Sequence, residues 1–195
     1  MAERTIICAS PRLAGRSASA VALAEGLLAQ RFGQDTLTRI DLARLSIAPC
    51  VGCDACRTAG SCFQHDDMGG LLATLARTDE LFIASPVYFA GPPAGYKAFL
   101  DRLQPLYWGD ARHGRRRPAH LLAVGEGGDP YGWEPLAVCT RSALHVAGFS
   151  LQRSVGCIGA HAPLEEYVHE WLGMRDGEGP LPSDAASAKG NEHGR

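Results

Sequence analysis

The sequence lacks any long hydrophobic run and any strong excess of charge of one sign. No stretch of its 195 residues approaches the roughly 20 apolar residues that a transmembrane helix needs. Lys and Arg total 19 and Asp and Glu total 21, a net charge of −2, so no overall field favours a nucleic acid or a membrane as partner. The 46% hydrophobic content instead indicates an ordinary globular protein.

The amino terminus lacks the features of a secretion signal. Residues 1–10, MAERTIICAS, contain a charged pair and then only a few apolar residues, without a basic region or a longer apolar segment. We therefore expect a cytoplasmic protein, in which disulfides are rare. The cysteines number seven, and an odd count also disfavours a purely disulfide-bonded framework.

Apolar residues alternate between strand-like and helical spacing along the chain. Strand-like segments lie at 5–9, 36–42, 80–89, 120–128 and 149–159, the fourth of them running into a glycine loop. Helical spacing occurs over 17–32, 68–76, 96–103, 136–146 and 164–172. Strands separated by helices form βαβ units, so the pattern predicts an α/β, doubly wound fold with a five-stranded parallel sheet. In such folds ligands bind at the carboxyl ends of the strands.

The chain length is suited to one domain and is short for two. We expect that domain to occupy residues 1–175. From Asp176 onward the sequence DGEGPLPSDAASAKGNEHGR has almost no apolar content, which predicts a disordered tail over 176–195.

The loop after the first strand, SPRLAGRSAS at residues 10–19, has the composition of an anion site. Its hydroxyl, glycine and cationic residues are Ser10, Arg12, Gly15, Arg16 and Ser17. Free N–H groups and the dipole of the following helix would attract a phosphate, and the arginines would add charge-assisted hydrogen bonds. The loop matches neither GxGxxG nor the GK[ST] ending of a P-loop. A plain strand-to-helix turn capped by Ser17 is the alternative.

Two further loops are expected at the same edge of the sheet. SPVYFAGPPAGYKAFLDR, residues 85–102, follows the third strand, and GEGGDPYGW, residues 125–133, follows the fourth. Because the carboxyl ends of parallel strands meet at one edge, all three loops would border one site.

Four cysteines lie close together in PCVGCDACRTAGSC, residues 49–62. Cys50, Cys53, Cys56 and Cys62 have the spacing C-x2-C-x2-C-x5-C. Four thiolates can hold a [4Fe–4S] cluster, whereas structural zinc usually takes two separated pairs. The alternative is a structural loop without metal. The other three cysteines, Cys8, Cys139 and Cys157, lie in apolar segments and are predicted core residues.

Together these motifs resemble the flavodoxin-like NAD(P)H-dependent FMN reductases and, among them, the iron–sulfur flavoproteins. The matching motifs are SPR…G.S at 10–17, PC.GC..C…..C at 49–62, DDM at 66–68, SPVYF at 85–89 and KAFLDR at 97–102. The likeness covers about residues 4–160. It implies the strand order 2-1-3-4-5, with FMN at the switch between the first and third strands.

The resemblance also implies which residues would contact FMN. The phosphate would be held by Ser10, Arg12, Arg16 and Ser17 with the backbone of Ala14 and Gly15. The ribityl chain and ring edge would lie along Pro86, Val87, Tyr88 and Phe89, and the third loop would bring Gly125, Glu126, Gly127 and Trp133 to the ring. Family members usually carry Lys and Asn where Leu13 and Ala14 stand, and often Asn at Arg16, so the phosphate contacts are weighted differently here. No catalytic side chain is implied, because hydride moves between stacked cofactors.

The implied function is that of an FMN-dependent NAD(P)H oxidoreductase of iron–sulfur flavoprotein type. FMN would take both electrons from NAD(P)H, and a cluster on the four clustered cysteines would pass single electrons to a small-molecule or redox-protein acceptor. The resemblance also implies a homodimer or homotetramer. Three alternatives stay open: a cluster-free NAD(P)H:FMN or quinone reductase, a flavodoxin-like electron carrier without nicotinamide activity, and a zinc-binding interaction protein.

Two other features are predicted to have structural roles. The basic run ARHGRRRP, residues 111–118, is interpreted as a solvated loop rather than a site for the extra phosphate of NADPH. Asp66 is predicted to cap the helix that follows the cysteines, and Asp101 and Arg102 are predicted to serve packing and ion pairing.

Overall fold

The computed structural model describes residues 1–109 and 113–174. Its strands are β1 Glu3–Cys8, β2 Thr36–Asp41, β3 Glu80–Pro86, β4 Arg117–Gly125 and β5 Phe149–Ile158. Its α-helices are α1 Arg16–Arg31, α2 Ala55–Ala59, α3 Met68–Arg77, α4 Ala94–Asp101, α5 Gln104–Trp108, α6 Glu134–Val146 and α7 Leu164–Leu172. Within these residues, no helix combines the length and the apolar character needed to cross a membrane.

The five strands form one parallel sheet in the order β2-β1-β3-β4-β5. The predicted fold class and strand order are therefore confirmed. The inner strands β3 and β4 are almost continuously buried, whereas the edge strand β2 is exposed or half-buried along its length. This contrast is what a sheet covered by helices on both faces produces.

The hydrophobic core lies in two layers, one on each face of the sheet. On one face α3, α4 and α6 pack through residues such as Leu71, Phe99 and Leu136. On the other face α1 and α7 pack against Phe82, whose ring meets Trp171 edge-on with centroids 5.9 Å apart. Because both faces are covered, the carboxyl ends of the strands are where loops can shape a cavity.

Three isolated cysteines belong to this core, as predicted. Cys8 and Cys157 are buried, and Cys139 is half-buried against the first layer. Burial raises the pKa of each of these thiols, so they are poor nucleophiles at neutral pH.

Short elements depart most from the sequence prediction. The cysteine loop contains the helix α2, and α5 follows directly after α4, but each has only five residues, too few to show a helical period. β3 ends at Pro86 rather than at residue 89, because a tight turn begins at Tyr88. The predicted tail, 176–195, lies outside the described residues.

The basic run differs from the predicted solvated loop in the part that is described. Arg117 is the first residue of β4, and its guanidinium donates to the carbonyl oxygens of Leu75, Thr78 and Ala147 at 2.6, 2.7 and 3.1 Å. Burial lowers the pKa of Arg117. The cation thus satisfies carbonyls at the carboxyl ends of α3 and α6, a favourable place for positive charge.

Candidate functional site

A cavity of about 570 Å³ opens at the carboxyl ends of β1, β3 and β4. All the residues predicted to contact FMN line it except Ala14, which is exposed in the first loop. The predicted residues in its wall are Ser10, Arg12, Gly15, Arg16, Ser17, Pro86, Val87, Tyr88, Phe89, Gly125, Glu126, Gly127 and Trp133. Sequence reasoning missed Val124, Gly128, Asp129, Gly132 and Ile158, which also line it. Ile158 belongs to β5, and the parallel register of β4 and β5 brings it beside Gly125.

The first loop places the amino terminus of α1 at the cavity. Gly15 precedes α1 with φ of 145°, a conformation that only glycine adopts readily. Ser10 and Ser17 are buried beside it, and Ser10 Oγ accepts a 3.0 Å hydrogen bond from the Arg12 N–H. The first turn of α1 carries no acidic residue, so the positive end of its dipole is not offset there. This arrangement suits an anion.

The two arginines of this loop have different surroundings. The Arg16 guanidinium donates to the carbonyl oxygens that follow β5, those of Gly159, Ala160 and Ala162, at 2.8 Å for Ala160 and 2.6 Å for Ala162. The Arg12 side chain is exposed and makes no hydrogen bond within 1–109 and 113–174. Arg16 thus connects the first loop to the segment before α7 while also lining the cavity. The expectation that both guanidinium groups hold the phosphate stays a prediction.

The second loop turns back sharply after β3. Tyr88 and Gly91 exchange two backbone hydrogen bonds of 3.0 and 2.9 Å, and the two residues between them have positive φ, 49° for Phe89 and 59° for Ala90. Each such non-glycine residue costs about 1 kcal/mol or more. A 3.0 Å bond from the Leu136 N–H to the Ala90 carbonyl holds the turn against α6. The turn leaves the Phe89 side chain 99% exposed at the rim.

The third loop is shaped by close approaches of backbone and side chain. A Cβ on Gly125 would lie 3.2 Å from Ile158 Cδ1, and a Cβ on Gly156 would lie 2.4 to 2.9 Å from three atoms of the Trp133 indole. The indole therefore lies directly over the backbone of β5 and forms part of the cavity wall. A glycine is required beneath it for steric reasons.

The four clustered cysteines line a second cavity, of about 330 Å³. Asp101, Arg102 and α5 close its other side. Burial raises the pKa of the Cys56 thiol, and negative charge on the other three cysteines would raise it further. In the part of the chain that the structure describes, no three Cys, His, Asp or Glu side chains converge as a single metal ion would require. The thiols surround a space rather than a point.

A buried ion pair closes the ends of the cysteine loop. Arg102, which is 2% exposed, donates to both carboxylate oxygens of Asp66 at 2.7 and 3.0 Å and to the Ala48 carbonyl at 2.8 Å. Asp66 also accepts bonds from the N–H groups of Ala48 and Met68 at 3.0 and 3.1 Å. We call Arg102, Asp66 and Ala48 the loop clamp. It joins residue 48, before the first clustered cysteine, to residue 66, after the last.

Asp66 does more than the predicted capping of the helix. Asp67 directly precedes α3, and Asp66 serves the ion pair in addition to the first N–H group of the helix. The hydrogen bonds from Arg102 hold the pKa of Asp66 below its usual value, so the carboxylate is charged at neutral pH. The ion pairing predicted for Arg102 is confirmed.

Comparison with known proteins gives a clear relationship. A family model described as NADPH-dependent FMN reductase matches residues 4–133. The chain belongs to this family. An iron–sulfur flavoprotein of Methanocaldococcus jannaschii is 36% identical over 175 residues, which are 88% of this chain and 83% of the relative. The predicted resemblance is confirmed.

Solved structures share the fold. The crystal structure of RosB with bound 8-demethyl-8-formylriboflavin-5′-phosphate superposes with a TM-score of 0.68, covering 89% of this chain and 77% of that one at 14% identity. The azoreductase AzrA gives a TM-score of 0.65, covering 88% and 96% at 15% identity. These likenesses confirm a flavodoxin-like architecture.

Family membership confirms the predicted enzyme class, an NAD(P)H-dependent flavin oxidoreductase that uses FMN. It argues against a flavodoxin-like carrier without nicotinamide activity and against a zinc-binding interaction protein. The cavity at the strand ends is accordingly the candidate active site.

Gly156 and Trp133 provide a test of the cavity wall. In Gly156→Ala the new methyl group would push the indole into the cavity, and we expect FMN affinity to fall about tenfold or more. The measurement is a fluorescence titration of FMN into the apo protein. Gly95→Ala, on an exposed face of α4 with no atom near its Cβ, is the matched control and should bind FMN normally. Unchanged affinity in Gly156→Ala would contradict the role of the indole in the wall.

The arginines of the first loop provide a second test. Arg12→Gln should weaken FMN binding roughly ten- to a hundredfold and leave riboflavin binding unchanged, because only FMN carries the phosphate. Arg16→Gln should instead lower the free energy of unfolding by about 1–3 kcal/mol, since it leaves carbonyl groups without donors. Titrations with both flavins and urea unfolding of each variant distinguish the roles. Equal losses of FMN and riboflavin affinity in Arg12→Gln would refute the phosphate contact.

Proposed function

We propose that this chain is an iron–sulfur flavoprotein that passes electrons from NAD(P)H through FMN and a [4Fe–4S] cluster to an acceptor. The observation that carries the proposal is the pair of cavities: one at the strand ends with an anion-binding loop, and one lined by four free thiols. The name of the Methanocaldococcus relative supports it.

In this proposal the first loop holds the FMN phosphate. Ser10, Ser17 and the Arg12 guanidinium would bind its oxygens, together with N–H groups of Ala14, Gly15 and Arg16 at the start of α1. Pro86, Val87, Tyr88 and Phe89 would flank the ribityl chain and the ring edge, and Gly125, Glu126 and Gly127 would approach the ring. The indole of Trp133, fixed over Gly156, would limit the depth of the pocket.

The redox chemistry belongs to the cofactors, and the protein supplies binding and orientation. When bound, FMN would accept a hydride from NAD(P)H and a proton from solvent, and the acceptor would then take up the two electrons. Hydride passes between stacked rings, so the protein needs only to hold the flavin with one face open to the nicotinamide. The exposed rim formed by Phe89 and the glycine loop leaves such an opening.

The cysteine cavity suits a cluster better than a single ion. A [4Fe–4S] cluster binds four thiolates, one to each iron. The wall of one cavity contains four cysteines: Cys50, Cys53, Cys56 and Cys62. The loop clamp closes the ends of the segment through hydrogen bonds and an ion pair that involve no metal. The clamp would therefore help to hold the thiols at one cavity.

A second candidate is a cluster-free NAD(P)H:FMN or quinone reductase. It is favoured by one observation: within residues 1–109 and 113–174, no three ligand side chains meet at a metal position. In that case the cysteine segment would be a structural loop, and FMN would pass its electrons directly to a small molecule.

The acceptor, the assembly and the location complete the proposal. The acceptor would be a small molecule or a redox protein that reaches the flavin or the cluster. A homodimer or homotetramer is supported by apolar side chains exposed on the loops that border the FMN cavity, Phe89 at 99% and Tyr131 at 78%. A cytoplasmic location is supported by four accessible free thiols, which a reducing compartment preserves.

Anaerobic purification tests the function. We expect flavin absorbance with a broad shoulder bleached by dithionite, about four irons and four sulfides per chain, and oxidation of NADH or NADPH. Cys56→Ser should lose the iron and keep FMN, because the flavin site is separate. Cys139→Ser, outside both cavities, is the matched control.

Two results would contradict the proposal in different ways. FMN without iron in the wild-type protein would establish the cluster-free reductase. Loss of FMN on gel filtration would contradict the flavin site itself.

A further inference from the structure

We propose that Arg102 donates a hydrogen bond through Nε to the sulfur of Cys62 when that thiolate binds a cluster, and thereby raises the reduction potential of the cluster. The inference rests on the proposed function, because it concerns the group that the four cysteines would hold. It assigns Arg102 a positioning and tuning role in addition to its role in the loop clamp.

The hydrogen bonds of the guanidinium point to this role. Its two terminal nitrogens are occupied, Nη1 by the Ala48 carbonyl and Asp66, and Nη2 by Asp66. Nε is fully buried and has no acceptor among the residues that the structure describes. A buried charged donor without a partner is costly, and such groups are rare in folded proteins. A further acceptor is therefore expected at Nε.

The surroundings of Arg102 indicate what that acceptor is. Arg102 lines the same cavity as the four clustered cysteines. The hydrogen bonds with Asp66 raise the pKa of Arg102 most, and contact with Cys62 raises it further. The cavity wall carries two acids, Asp54 and Asp101, and Asp101 pairs with Lys97 at 2.6 Å. Within the residues that the structure describes, Arg102 forms a hydrogen bond or ion pair with neither of them but does contact Cys62, so sulfur is the expected acceptor.

A donor in this position would favour the reduced cluster. Reduction adds one electron, and the added negative charge is stabilised by a cation and by N–H bonds to sulfur. The Asp66 carboxylate fixes the guanidinium plane with two bonds, so Nε keeps its orientation in both redox states. The reduced fraction at a fixed potential should therefore depend on Arg102.

The test is a redox titration of the cluster in three variants. Arg102→Met removes the charge and the donors and keeps an apolar stem. Arg102→Lys keeps the charge and lacks Nε. Asp66→Asn removes the carboxylate charge but keeps an amide oxygen and the Ala48 carbonyl as acceptors for the guanidinium, so it is the matched control for a weakened loop clamp. Each anaerobic protein is titrated with dithionite, and the reduced cluster is followed by electron paramagnetic resonance, with iron and FMN content measured on the same sample.

We expect the ratio of reduced to oxidised cluster at a fixed potential to fall about tenfold in Arg102→Met, which is about 59 mV for one electron. Arg102→Lys should fall less, and Asp66→Asn should not fall, because removing an anion near the cluster cannot disfavour its reduction. If Arg102→Met loses its iron, the comparison of Arg102→Lys with Asp66→Asn carries the test.

Three results would overturn the inference. If Arg102→Met keeps its iron, an unchanged ratio of reduced to oxidised cluster in that variant would show that Nε does not act on the cluster. If Arg102→Met loses its iron, an unchanged ratio in Arg102→Lys would show the same. An equal fall in Asp66→Asn would show that loop closure alone sets the potential. Wild-type protein with FMN and no iron would remove the proposed cluster and the inference together, a failure that the iron assay distinguishes from the other two.

Discussion

Packing on both faces of the parallel sheet is the constraint from which the rest of the structure follows. With α1 and α7 on one side and α3, α4 and α6 on the other, loops at the carboxyl ends of the strands are the ones left to enclose a ligand. Three such loops, from different parts of the sequence, meet in one cavity. The amino-terminal end of α1, the strained turn after β3 and the indole over β5 are therefore parts of one site.

The cysteine cavity obeys a separate local constraint. Its segment has no sheet to position it, and its one helix has five residues. Its ends are joined by a buried ion pair between Arg102 and Asp66, and removing either partner would leave the other charge buried and unpaired. The same arginine borders the thiols. Holding the loop and setting the environment of its sulfurs thus depend on one side chain.

The sequence predicted the alternating strands and helices and the loops that follow the strand ends. Apolar spacing predicted the five strands, the family resemblance implied their order, and the loops after β1, β3 and β4 were predicted to form the cavity wall. Contacts between residues far apart in the sequence could not be predicted. Examples are the hydrogen bonds from Arg16 to carbonyl oxygens 143 to 146 residues away, the contact of Trp133 with Gly156, and the two hydrogen bonds from Arg102 to Asp66. Such contacts depend on how loops approach one another, and no spacing in the sequence encodes that.

We propose above all that the phosphate of FMN lies at the amino terminus of α1. The most direct measurement is the ³¹P resonance of FMN bound to the protein, followed between about pH 5 and about pH 9. A phosphate held as a dianion by N–H groups and Arg12 should show a constant shift through this range. In water a phosphate monoester titrates with a pKa of about 6. A bound resonance that moved with that midpoint would contradict the account.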